Sequence, residues 1–243
     1  MNESNLKTEI LNSRTTIISG IILIIFNAGF IFSFSGSRWF SIFCSVMEYD
    51  RALIIKGEIW RFFTCHLVHW SPAHFLLDSV VFIFQGITFE QKIGKKYWMA
   101  LFLSSIFIGV SLLIFRSDLM YYRGISGIIN TQLVLGSGLF IFDKTLSKNM
   151  RGMFGICFLI HMIKIIYESV NRAPFFSTHL LGDMGLFTPV AHLSGVVLGF
   201  LLLAVYLLMP FSGKRQTHEK DKDDLSPASL ELSESAEKSI FCF

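Results

Sequence analysis

Residues 124–142 read GISGIINTQLVLGSGLFIF, an apolar run of the length a membrane-spanning helix needs, but with an unusual beginning. Ser126, Asn130, Thr131 and Gln132 crowd its first two turns. Polar groups at membrane depth require bundle partners or a water-filled cavity. The run is therefore expected inside a bundle, with its polar start facing a cavity.

Working outward from it, five more stretches carry roughly 20 mostly apolar residues each, the length that crosses ~30 Å of hydrocarbon with every backbone amide satisfied internally. They lie at 16–34, 72–89, 97–115, 152–169 and 189–209. The whole chain of 243 residues is 52% hydrophobic and 16% charged, and its mean hydropathy is +0.56. A soluble surface cannot be covered with so few charges, so the bilayer is read as the solvent. Three segments follow: a short cytoplasmic N-terminal piece at 1–15, an all-α bundle of six transmembrane helices at 16–210, and a disordered cytoplasmic tail at 211–243. A charge run through Lys220, Asp221, Lys222, Asp223 and Asp224 opens the tail's polar composition.

Basic residues in short connectors report orientation. Lys92, Lys95 and Lys96 share one connector, Lys144, Lys148 and Arg151 another, and Lys214 and Arg215 follow the last apolar run. All three are assigned to the cytoplasm, with the N-terminus and its Lys7 and Arg14. The long connector at 36–71 is then external despite Arg38, Arg51, Lys56 and Arg61, and its Trp and Phe content suits a partly helical interfacial cap. Cys44 and Cys65 in that loop are read as unpaired buried thiols, with a disulfide in an oxidising compartment as the alternative, and His66 and His69 as interfacial loop residues. The net charge of +3 gives no reason to expect nucleic acid.

With the N-terminus inside, the second, fourth and sixth runs all descend from the outer face, so their first turns meet at one depth. Those turns hold His74 and Asp78; Gly124, Ile125, Ser126 and Gly127; and Ala191, His192, Leu193, Ser194 and Gly195. A serine hydroxyl becomes nucleophilic when an imidazole takes its proton, and Ser126 with His192 supplies that pair. Gly124 and Gly127 let a substrate backbone approach the serine, while a helix start leaves amides free for a developing oxyanion. His192, Gly195 and Gly199 fall on one helix face, where small residues allow close helix approach. Asn130, one turn beyond Ser126, would face the same cavity, as a contact to substrate, His74 or water, or as a packing residue. Lys164 and Glu168, at i and i+4, are read as a neutralising pair or, with Tyr167, as contacts to a substrate peptide. No thiolate or carboxylate cluster completes a metal site with the histidines, and no cofactor is expected.

In Glu58-Ile59-Trp60-Arg61, His74-x-x-x-Asp78, Glu90 with Gly94, Gly124-Ile125-Ser126-Gly127 and Ala191-His192-x-x-Gly195-x-x-x-Gly199, the chain resembles the rhomboid family of intramembrane serine proteases. The resemblance implies Ser126 as nucleophile, His192 as general base and His74 as an oxyanion partner. It further implies transmembrane protein substrates in a lipid bilayer, and a site opening to the periplasmic face of a bacterial inner membrane. Tyr121-Tyr122-Arg123-Gly124, Lys164-x-x-Tyr167-Glu168 and Thr188-Pro189-Val190-Ala191-His192 are most similar to the rhombosortase branch, which implies processing of C-terminal anchors containing Gly-Gly. Asp78 departs from the Asn usual in rhomboids. An ionised carboxylate cannot donate to an oxyanion, so Asp78 either is protonated, orients His74, or leaves the role to His74 and backbone amides. Two rivals stand beside the protease: a non-cutting relative that binds transmembrane segments, and a small transporter.

Overall fold

The computed structural model describes residues 14–27, 37–94, 96–175 and 188–208; the expected tail at 211–243 and most of the N-terminal piece lie outside them. The described chain is helical apart from one two-stranded ribbon. In order it forms α1 (Arg14–Phe26), α2 (Arg38–Met47), β1 (Tyr49–Asp50), α3 (Arg51–Ile55), α4 (Arg61–Thr64), α5 (Pro72–Ile93), α6 (Lys96–Phe115), β2 (Tyr121–Tyr122), α7 (Ser126–Phe142), α8 (Lys148–Asn171) and α9 (Pro189–Leu208).

Local signals set the boundaries. Ser71 caps α5 by accepting the His74 amide at 3.2 Å, and Pro72 occupies the first turn, where its missing N–H costs nothing. At the other end Gly94 takes φ of 62°, a conformation glycine adopts freely. Ser147 caps α8 in the same manner.

Among the described residues, α5, α6, α8 and α9 are long and apolar enough to cross a membrane, while α1 and α7 are shorter. Leu76, Val80 and Phe84 on α5, Phe102 on α6 and Phe200 on α9 are exposed, a surface that only lipid satisfies. The protein is an integral membrane protein. The expected apolar run at 125–142 corresponds to the 17-residue α7, about 25 Å long at ~1.5 Å per residue and so shorter than the hydrocarbon layer. Shortness is tolerated because α7 is central: it is buried almost continuously from Gly127 to Leu139 and contributes to all three clusters of the core. Two of its polar side chains find protein partners there. The Gln132 side-chain amide donates to the Tyr97 hydroxyl of α6, and Thr131 bonds back to the Gly127 carbonyl at 3.4 Å.

Among the described helices the most extensive contact is α7 against α9, and glycine makes it possible. A Cβ at Gly195 would run into the Gly127 carbonyl oxygen, and one at Gly127 would sit 2.9 Å from the Ala191 carbonyl oxygen. One helical turn further along, a Cβ at Gly199 would lie 3.0 Å from the Thr131 carbonyl oxygen. Backbone therefore rests directly on backbone over the first turns of both helices.

The segment ahead of α5 folds over the bundle end from which α7 and α9 begin. Its residues Tyr49 and Ile54 join the core around Phe82, Ile108 and Tyr122, and β1 pairs antiparallel with β2 (Tyr49 with Tyr122). Arg61 is buried here. Its Nε bonds Glu58 at 2.7 Å and its Nη1 reaches the Ser45 and Glu48 carbonyls at 2.8 Å. Glu48 in turn pairs with Arg123 at 2.9 Å, and Arg123 lies 4.2 Å from the Trp70 ring centre. Burial pushes the Glu48 carboxyl up and the Arg123 guanidinium opposes it. At the opposite end, Glu90 of α5 accepts the Thr15 and Thr16 amides and the Thr16 hydroxyl, each at 2.8 Å, fastening the start of α1 to α5. Cys44 and Cys65 are free and buried.

Candidate active site

Ser126 is the first residue of α7, presented by a backbone that only glycine permits. Gly124 has φ of 129°, and a Cβ there would stand 3.1 Å from His74 Cε1. Its amide donates to the Cys65 carbonyl at 3.0 Å; its carbonyl accepts from Tyr122 Oη at 3.1 Å and His66 Nδ1 at 3.0 Å. The approach to Ser126 is thus anchored to the segment ahead of α5. His66 and His69, expected as interfacial loop residues, are instead fully buried. The reason is long-range: carbonyl and side-chain acceptors from distant segments surround their rings. Burial lowers both imidazoles from the ordinary histidine range, with Asp78 opposing it at His69.

Across the α7–α9 seam, His192 Nε2 lies 2.9 Å from Ser126 Oγ. On the ring's far side Nδ1 is 2.8 Å from Glu168 Oε2 of α8. That partner assigns the tautomer: Nδ1–H donates to the carboxylate, and Nε2 offers its lone pair to the serine hydroxyl. Glu168 is buried, and Lys164 Nζ reaches the same Oε2 at 2.9 Å while the Phe175 amide donates to Oε1 at 3.2 Å.

These groups border a cavity of about 270 Å³. His74, Asp78, Asn130 and Lys164 also line it. Asp78 Oδ2 lies between two imidazoles, 3.3 Å from His74 Nε2 and 3.5 Å from His69 Nε2, so its carboxylate is turned toward histidine. Among the described residues, His74 Nδ1, Asn130 Nδ2, Gln85 Oε1 and His161 Nε2 are buried without a protein hydrogen bond. All four residues border the cavity, and buried polar atoms without a protein partner call for water or the polar backbone of a guest peptide.

The structure thus brings Ser126, His192, His74, Asp78, Asn130, Lys164 and Glu168 to one cavity, with Gly124 against His74. Tyr167 is not in its lining; half-exposed, it meets Phe175 edge-on at 5.5 Å. Glu168, expected as a neutralising partner of Lys164 or a substrate contact, is engaged with Lys164 and also with His192. His161 was not anticipated, although its spacing to Lys164 and Glu168 (i, i+3, i+7) places all three on one face of α8. Among the described residues no group of three histidine, cysteine or acidic side chains is arranged to hold a metal.

The fold and the cavity define a helical membrane protein with a serine hydroxyl hydrogen-bonded to an imidazole inside the bundle. The rhomboid domain family model matches residues 56–209, and the chain belongs to that family. It is similar to RHOMBOID-like protein 1 of Arabidopsis thaliana, 26% identical over 174 residues, which cover 68% of this chain and 39% of that protein. RHOMBOID-like protein 4 of Arabidopsis thaliana is 29% identical over 168 residues, 68% of this chain and 38% of that protein. The chain spans about two-fifths of the length of these relatives.

Proposed function

We propose that the chain is an intramembrane serine endopeptidase with Ser126 as nucleophile and His192 as general base. One observation carries the reading: the 2.9 Å contact between Ser126 Oγ and His192 Nε2 at a cavity inside the bundle. Family membership supports intramembrane protease or non-cutting pseudoprotease chemistry, and the hydrogen-bonded pair favours cutting.

In this reading a substrate segment enters the cavity and presents a peptide carbonyl to Ser126. Oγ forms a bond to the carbonyl carbon as its proton passes to His192 Nε2. The oxyanion is held by the amides at the start of α7 and by His74, with Asp78 orienting His74 rather than donating. Collapse breaks the C–N bond, and the imidazolium returns its proton to the departing amine. Water, deprotonated by His192, then releases the acyl group and restores Ser126. Six membrane-embedded helices with a cytoplasmic N-terminus and an outward-opening site complete the proposal, supported by the basic connectors. The rhombosortase-like sequence features nominate C-terminal anchors containing Gly-Gly as substrates.

The competing reading, a segment-binding relative that does not cut, draws on Asp78 standing where rhomboids usually carry Asn. Co-reconstitution in liposomes with a reporter anchored by a C-terminal transmembrane segment preceded by Gly-Gly separates the two. Cleavage that Ser126→Ala abolishes supports the protease; equal cleavage with and without the hydroxyl would sink it. Binding of the reporter without cleavage would favour the competitor.

A further inference from the structure

Glu168 is a buried carboxylate that a serine–histidine dyad does not require. It receives three donors: His192 Nδ1–H at 2.8 Å and Lys164 Nζ at 2.9 Å on Oε2, and the Phe175 amide at 3.2 Å on Oε1. Its side chain is 3% exposed, and among the described residues no second carboxylate is recorded against it. A neutralising partner for Lys164 alone would have no reason to place the shared oxygen in line with an imidazole whose other nitrogen touches the nucleophile. The three groups run in sequence, carboxylate to Nδ1–H, Nε2 to hydroxyl, with both hydrogen bonds of ordinary length.

We propose that Glu168 is the positioning residue of a Ser126–His192–Glu168 triad, fixing the His192 tautomer and stabilising the imidazolium formed when Ser126 attacks. The proposal rests on the serine-protease reading above and extends it to α8. Glu168 keeps its own charge throughout; the proton taken from Ser126 stays on His192 Nε2 until the leaving amine receives it. Lys164 and the Phe175 amide hold the carboxylate in place, since a planar group with two anchored oxygens cannot rotate away from Nδ1. The surroundings also explain why an amide is a poor substitute. Three donors converge on Glu168, and glutamine offers one acceptor oxygen while adding two N–H donors of its own. If that oxygen takes the place of Oε2, the glutamine NH2 meets the Phe175 amide donor to donor; if it takes the place of Oε1, the NH2 faces Lys164 Nζ and His192 Nδ1 and selects the opposite tautomer, whose Nε2–H cannot accept the serine proton.

The test uses full-length protein in detergent or liposomes and compares the natural chain with Glu168→Gln, Glu168→Asp and Ser126→Ala. It reads kcat and KM for reporter cleavage together with thermal melting. Glu168→Gln is expected to lower kcat by about 10²–10⁴-fold with KM within about threefold, as when a triad carboxylate becomes an amide. Glu168→Asp, which retains the charge, is expected to recover at least tenfold of that loss even if its melting point is no higher than that of the glutamine variant. Two outcomes overturn the proposal while leaving the dyad intact: Glu168→Gln within about twofold of the natural kcat, or aspartate and glutamine variants losing activity equally and in step with melting. Cleavage that persists in Ser126→Ala is a different failure, since it removes the serine-protease reading itself.

Discussion

Along the α7–α9 seam, glycine backbones rest on each other and no side chain intervenes between Gly195 and the Gly127 carbonyl. Along α8 the situation is reversed: far less of its apolar stretch is buried than of α9's, and its buried residues are His161, Ile165 and Glu168, a single stripe. Gly155 on α8 has open space where Gly195 has a carbonyl. The two sides of one site are therefore held by different physics. Backbone packing fixes the distance from Ser126 to His192, whereas polar contacts from a loosely packed helix fix the orientation of the His192 ring. Packing of the first kind is intolerant of a single methyl group, while the second tolerates volume change but depends on charge.

The sharpest way to break this comparison is Gly195→Ala. Its Cβ would force α7 and α9 apart, and a destabilisation of about 3 kcal/mol or more is expected, at the upper end of what overpacking costs. Loss of fluorophosphonate labelling at Ser126 should accompany a clear fall in melting temperature. Unchanged melting and labelling would show that the seam is not held by backbone contact.

A smaller effect follows from the two buried histidines of the segment ahead of α5, of which His66 bonds the Gly124 carbonyl. His66 and His69 are held by burial below the ordinary histidine value of about 6.5. The unfolded chain therefore takes up protons first. Stability from these two groups is complete above about pH 6.5 and declines as pH falls below it, because protonation favours the unfolded state. Melting temperature should drop between about pH 7.5 and 5.5, with a shallower slope in His66→Gln. A flat profile in the natural chain would contradict the burial of these rings as the source of the effect.

The smallest expected effect, and the control for the first, is Gly155→Ala. With nothing near its Cβ position, the substitution should leave labelling unchanged and melting equal or slightly higher, since alanine is favoured over glycine within a helix by up to about 1 kcal/mol. A loss resembling that of Gly195→Ala would erase the distinction between the two sides.

How much of this was legible in the sequence differs by the range of the interactions concerned. Each apolar run has a helix over it, because hydropathy and length are local properties; the described part of the first run is the shorter α1. The alignment of Ser126 with His192 was foreshadowed by the face that His192 shares with Gly195 and Gly199, a pattern written within one helix. Glu168 was visible as a charge at i+4 from Lys164, but its engagement with His192 depends on how α8 is rotated against α9. No local pattern encodes that rotation. The burial of His66 and His69 escaped for the same reason, since their surroundings include Gly124, Ser105 and Asn27, far away in sequence. The β1–β2 pairing, two residues on each side, is too short to leave a periodic trace.

The most direct measurement is covalent labelling of the folded, solubilised chain by a fluorophosphonate probe, with Ser126→Ala and His192→Ala alongside. An activated serine predicts labelling of the natural chain that disappears in the first variant and falls by at least about 10⁴-fold in rate in the second. A natural chain that stays folded and takes no label, or a Ser126→Ala variant that labels as well as its parent, would contradict the assignment.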